Sequence, residues 1–218
     1  MPTQSACANV YVDGANFYYT ILNSSERRLD RLKRAWCNFW LLGEKLVDRA
    51  FPGVDLGVVK YFTARVGEHE QLPEEATRQD FWLDALQAGS DYRVKVITGF
   101  YDTKPGKQRV EKQTDVNIAI SIVRDCLMSP RTERATSFVA DPFASCDRVV
   151  LVSGDRDLRP ALKMVDRYGI LPVVFRPGRE DEISDTDLLS CLLPQSIKSR
   201  YGKVVTWDDY VALKRGRW

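Results

Sequence analysis

Histidine is almost absent from this 218-residue chain, and His69 is its sole imidazole. A Ser-His-Asp triad, paired-histidine acid/base catalysis and a multi-histidine zinc site are thereby disfavoured within one chain. The CxxC spacing is missing as well. The five cysteines (Cys7, Cys37, Cys126, Cys146 and Cys191) are odd in number and widely separated, which argues against a zinc ribbon or a disulfide-stapled secreted scaffold. Free thiols in a reducing cytosol fit better, so the expected location is cytoplasmic. No apolar run approaches the ~18 residues of a membrane span, and residues 1–10 lack a basic flank followed by an apolar segment. Neither a membrane partner nor a signal peptide is expected. Net charge is also scarce: 32 Lys/Arg against 30 Asp/Glu leave +2. Bulk charge neither demands nor excludes a nucleic-acid partner, so any electrostatic argument must come from where the charges sit.

The composition that remains, 44% hydrophobic and 28% charged, is that of a globular chain able to bury a core. Short β-rich runs alternate with helical stretches, and no internal repeat is visible. Strands are expected near 9–13, 56–62, 92–97, 148–152 and 170–175, and helices at 15–23, 30–50, 70–88, 115–128, 157–168 and 181–193. The runs VVLV and ILPVVF are continuous and apolar, as in strands buried on both faces. This alternation predicts an α/β three-layer sandwich with a central, mostly parallel sheet and right-handed crossovers. One domain is expected, with its core at about 8–192 and a basic tail at 193–218. Residues 98–114 read as a long loop or hairpin, and 129–146 as a surface loop.

Histidine being nearly absent, chemistry falls to carboxylates, hydroxyls, lysine or a hard metal. Four aspartates, at three places in the chain, lie where regular elements begin or end. Asp13 follows the first strand in V-D-G-A-N, Asp155 and Asp157 follow the fourth in V-S-G-D-R-D, and Asp115 opens a helix in E-K-Q-T-D-V-N. With strand order 3-2-1-4-5, the loops after strands 1 and 4 diverge to opposite faces, and the crevice between them is the expected ligand site. Asp13, Asp155 and Asp157 should meet there; whether Asp115 joins them depends on the preceding loop. Taken singly, each aspartate reads more readily as a turn or helix cap than as a functional group, and Asn16 either orients water or substrate or caps the first helix. Carboxylates converging unpaired repel one another, and Mg²⁺ or Mn²⁺ takes oxygen ligands of this type.

The blocks D-G-A-N at 13–16, E-K-Q-T-D-V-N-I-A at 111–119 and V-S-G-D-R-D-L-R-P at 152–160 closely resemble the signature motifs of the NYN domain family. That family is a branch of the PIN-like (FLAP nuclease-related) ribonuclease superfamily. The resemblance runs in order from about residue 8 to about 178. It implies a PIN-like Rossmannoid fold, metal-dependent endonucleolytic cleavage of RNA, and Mg²⁺ or Mn²⁺ held around Asp13, Asp115, Asp155 and Asp157, with Asn16 in the first motif. Domains of this kind commonly pair, so a homodimer is among the expected assemblies. Position 156 departs from the pattern: Arg156 stands where relatives usually carry a small residue, and an arginine there either contacts substrate phosphate or partly replaces the cation.

One or two divalent ions can activate water and stabilise a leaving oxygen without histidine. Lys112 is either a phosphate contact or a solvated loop lysine. For the RNA strand, Lys104, Lys107 and Arg109 lead directly into Lys112 and are the favoured contacts. The competing surface is residues 27–34, with Arg27, Arg28, Arg31, Lys33 and Arg34. Leu29, Leu32, Trp36, Phe39, Gly43 and Leu46 recur at helical spacing and are expected as one buried stripe. Two rival functions remain. A catalytically silent RNA-binding module would bind RNA without cutting it. A phosphatase of the haloacid dehalogenase type needs a second Asp two residues after the first, where this chain has Ala15.

Overall fold

The first strand, β1 (Cys7–Asp13), lies in the middle of a six-stranded sheet of order β4-β3-β2-β1-β5-β6. Its neighbours are β2 (Asp55–Arg65) and β5 (Arg148–Val152), both parallel to it. Beyond them lie β3 (Val94–Asp102) and β6 (Leu171–Phe175), also parallel, and β4 (Val110–Lys112) closes one edge as an antiparallel hairpin partner of β3. The computed structural model describes residues 6–23, 27–65, 73–102, 110–127, 146–199 and 202–215. The expected loop at 129–146 falls almost wholly outside them.

Strand alternation divides the core in two, because successive side chains point to opposite faces. Ala8, Val10, Val12, Val59, Tyr61, Val150 and Val152 belong to one buried cluster, whereas Tyr11, Phe62, Val149 and Leu151 belong to the other. The first face is covered by α1 (Gly14–Leu22), α2 (Arg28–Ala35), α3 (Phe39–Ala50), α4 (Pro73–Ala88) and α7 (Asp185–Ser190). The second is covered by α5 (Thr114–Leu127) and α6 (Arg159–Arg167). This is the three-layer α/β sandwich expected, and its helices change face between β1 and β5.

The expected helix over 30–50 is two helices. Asn38 interrupts it: its side-chain oxygen accepts from the N–H groups of Trp40 (3.0 Å) and Leu41 (3.4 Å), and its amide donates to the Gly89 carbonyl (3.1 Å). The preceding Cys37 forms a β-bridge with Leu192. The stripe is correspondingly incomplete, since Leu29 is exposed while Leu32, Trp36, Phe39, Gly43 and Leu46 are buried. The helix expected at 181–193 shrinks to α7, begun by a Ser184/Asp187 capping box. Most of the described residues in the segment read as a basic tail belong to regular elements. A hairpin of β7 (Ser196–Lys198) and β8 (Val204–Thr206) leads into α8 (Trp207–Arg215), whose Tyr210 packs at 4.8 Å from the Trp36 ring and 5.6 Å from Trp82.

Within the second layer, Lys60 on β2 and Asp125 on α5 form an ion pair that is almost completely buried. The Tyr11 hydroxyl donates to the same carboxylate at 2.8 Å, and Arg124 reaches its other oxygen at 3.1 Å. A buried charge needs this degree of satisfaction to be tolerated. All five cysteines are free. Among the described residues, no helix is long and apolar enough to cross a membrane.

Candidate functional site

At the carboxyl ends of β1 and β5 the chain leaves the sheet in opposite directions, and the two loops are stitched together by side chains. Asp13 ends β1 and is nearly buried. One of its oxygens accepts the Asn16 N–H at 3.0 Å, capping α1, and the other accepts the Ser153 hydroxyl at 2.8 Å. Ser153 Oγ in turn accepts the Asp155 N–H at 3.0 Å, and the Asp155 carboxylate accepts the Asp157 N–H at 2.8 Å. Asn16 Oδ1 takes the Gly154 N–H at 2.9 Å. Asp13 therefore caps the first helix, and Asn16 spans the gap to the second loop.

Two glycines permit this geometry. Gly14 begins α1, and a Cβ there would run into the Tyr61 ring and lie 2.5 Å from the Phe62 carbonyl oxygen. The glycine of the D-G pair thus serves a close approach between helix and sheet. Gly99 on β3 does the same on the other face, where a Cβ would strike the Lys112 carbonyl and come within 2.9 Å of Thr114 Oγ1. Gln113, at φ 70°, makes the sharp left-handed turn from β4 into α5. Together these features bring the start of α5 to the crevice, which settles the placement of Asp115.

The resulting cavity, about 540 Å³, is lined by Asp13, Asn16, Tyr19, Lys112, Asp115 and Asp155 among others. Asp157 is exposed beside it. The Asp115 carboxyl sits above its ordinary value, first through partial burial and then through the negative charges of Asp155 and Asp157. The donors are all hard oxygens, the kind Mg²⁺ and Mn²⁺ prefer, and they repel one another in the manner a cation would relieve. They form a facing set and not a finished cage: among the described residues no three His, Cys, Asp or Glu side chains lie close enough to share one ion.

Of the expected RNA contacts, Lys112 is exposed on the cavity wall and Arg156 is exposed between the two aspartates, paired with neither. Lys104, Lys107 and Arg109 lie outside the described residues. On the competing surface, Arg31 donates to the Leu22 carbonyl at 2.6 Å and buried Arg34 to Asp185 at 2.8 Å, so both serve the fold. Ser153 and Tyr19 were not singled out from the sequence. Ser153 reads as half of a Ser-Gly turn, and Tyr19 as one more apolar position in a helix.

No family model matches the chain. It is 23% identical, over a gapped alignment 244 positions long, to the 6-hydroxy-3-succinoylpyridine 3-monooxygenase HspA of Pseudomonas putida, an alignment spanning 88% of this chain and 71% of that enzyme. A solved structure, that of a Vibrio parahaemolyticus protein of unknown function, matches with a TM-score of 0.45 at 18% identity, covering 88% of this chain and 93% of that one.

Proposed function

We propose that the chain is an Mg²⁺- or Mn²⁺-dependent endoribonuclease working in the crevice between β1 and β5. The observation that carries the reading is convergence: carboxylates from the ends of two adjacent strands and the start of a helix on the opposite face reach one cavity, beside a free lysine. The resemblance of the three motifs to the NYN family supplies the reaction class. Asp115 and Asp155, which both line the cavity, would hold the ion with waters completing its shell and with the charges of Asp157 and Asp13 beside it. When bound it supplies water activation and charge neutralisation at the phosphate. Lys112 holds a phosphate oxygen. Asn16 and Ser153 fix the two loops so that the carboxylates need not reorganise during the reaction.

The test is Asp155→Asn. An asparagine retains the oxygen that accepts the Asp157 N–H, so the fold survives while a charge is lost. Mn²⁺-dependent RNA cleavage should vanish, and the rise in Tm on adding Mn²⁺ should shrink, because that rise reports binding to the native state. Full cleavage in the variant removes Asp155 from the mechanism. RNA bound equally well in EDTA and left uncut with Mn²⁺ by the wild-type protein would instead establish the silent binding module. The Pseudomonas relative favours a second reading, monooxygenation of a hydroxypyridine ring in the same cavity, in which one atom of O₂ enters the ring and the other leaves as water with two electrons from an added reductant. Turnover of a hydroxypyridine with no action on RNA would select it.

A further inference from the structure

Tyr19 is 54% exposed although it forms part of a cavity wall. On α1 its neighbours Phe17 and Ile21 face the core, leaving Tyr19 on the open side one turn after Asn16. Tyr18 braces it at 5.8 Å with the rings at 74°. An edge-to-face contact covers at most one face of a ring, so at least one face of Tyr19 stays open. From the other wall, on the opposite face of the sheet, Val116 also lines the cavity and is 57% exposed. An exposed aromatic and an exposed aliphatic thus flank a floor of carboxylates and amides.

A nucleobase matches that arrangement, having two flat apolar faces, a polar edge and an attached anion. The apolar faces meet Tyr19 and Val116, the edge meets the Asn23 amide at the end of α1, and the phosphate meets Lys112. A cavity of about 540 Å³ lies within the range that encloses a small organic ligand, ~300–1,000 Å³, and it accommodates the larger bases. Stacking grows with the area of the ring, so a purine gains more here than a pyrimidine. We infer that Tyr19, with Val116 opposite, is a base-stacking subsite that sets a purine preference at the nucleotide beside the cleaved phosphodiester. The inference rests on the ribonuclease reading, and its test is independent of cleavage.

The experiment measures binding of RNA tetranucleotides carrying one 2-aminopurine, in EDTA, by fluorescence quenching, against wild-type protein, Tyr19→Ala and Tyr19→Phe. Competition with unlabelled purine and pyrimidine tetranucleotides gives the preference. Wild type and Tyr19→Phe should quench the probe and favour purines; Tyr19→Ala should bind about 5- to 100-fold more weakly, lose the quench and bind the two competitors alike. An exposed side chain leaves the Tm of Tyr19→Ala close to that of the wild type, which certifies the fold. Unchanged affinity and purine preference in Tyr19→Ala overturn the subsite while leaving the Asp155→Asn test standing. A wild-type protein that binds no tetranucleotide in EDTA but cuts RNA with Mn²⁺ overturns the subsite alone, and one that neither binds tetranucleotides nor cuts RNA with Mn²⁺ overturns the nucleotide assignment and the ribonuclease reading together.

Discussion

The side-chain oxygen of Asn16 accepts the backbone N–H of Gly154 at 2.9 Å, joining the first turn of α1 to the loop after β5. The two residues are 138 positions apart in the chain. Their bond holds the two sides of the crevice at a set spacing, and Asp155 is the next residue along.

Replacing Asn16 by alanine should therefore act on stability and site together. Losing one side-chain hydrogen bond should cost about 0.5–1.5 kcal/mol, read as a lower midpoint in urea. Cleavage should fall by more than the small loss of folded protein explains. An unchanged midpoint would show that Gly154 finds water as readily as Asn16.

Asp115 gives the crevice a pH signature. Its carboxyl is raised in the folded protein by partial burial and by Asp155 and Asp157. Above the ordinary carboxylate value the native state then holds more proton than the unfolded chain, so stability declines as pH rises through that window. Asp115→Asn should flatten the decline and raise the urea midpoint near neutral pH. Saturating Mn²⁺ should abolish the difference in slope, since a bound cation favours the ionised form. A pH profile identical in wild type and variant would deny the repulsion.

Asp187 acts in the other direction. Burial pushes it up, but the Ser184 N–H, the Arg49 guanidinium (both bonds 3.0 Å) and the Ser184 hydroxyl outweigh burial and hold it below the usual carboxylate range. Its contribution is complete above the unfolded carboxylate value and is lost as pH falls through the depressed folded value. Asp187→Ala should destabilise the protein by about 1–2 kcal/mol at neutral pH through loss of the capping box, and progressively less in acid. Equal losses at both pH values would contradict this.

Gly14 should tolerate no side chain. Gly14→Ala drives a methyl group into the Tyr61 ring and the Phe62 carbonyl, backbone that cannot swing aside. Overpacking of this sort costs about 1–3 kcal/mol. Because Asp13 precedes Gly14, the displaced helix start should also weaken Mn²⁺-dependent stabilisation. A melting temperature equal to the wild type's would refute the close approach.

The strand order was legible because the apolar runs alternate with helical stretches and few crossovers are compatible with five of them. VVLV is buried on both faces as expected, whereas ILPVVF is not, since β6 is an edge strand that leaves Leu171 and Val174 exposed. The positions of Asp13 and Asp155 followed from the same reasoning. The break at Asn38 was not legible, because its cap is completed by the Gly89 carbonyl and by the Cys37–Leu192 bridge, both contacts from distant parts of the chain. The fold of residues 196–215 was hidden for a similar reason: SIK and VVT are too short to register as strands, and Trp207 and Tyr210 acquire meaning only against Trp36. Ser153 became visible once the Asp13 carboxylate was known to point at it.

The Lys60–Asp125 pair constrains how this sequence can drift. Removing Asp125 alone leaves the Lys60 ammonium uncompensated in the second core layer, at a cost of about 3–5 kcal/mol, and removing Lys60 alone leaves the fully buried Asp125 to Arg124 and the Tyr11 hydroxyl. A domain whose whole stability is about 5–15 kcal/mol has little room for such an intermediate. Replacing both by apolar residues of similar volume carries no such penalty. The two positions, 65 residues apart, are thus bound to change as a unit: a descendant with an aliphatic residue at 60 is expected to carry an uncharged one at 125, with Tyr11 released from its hydroxyl bond and free to become phenylalanine.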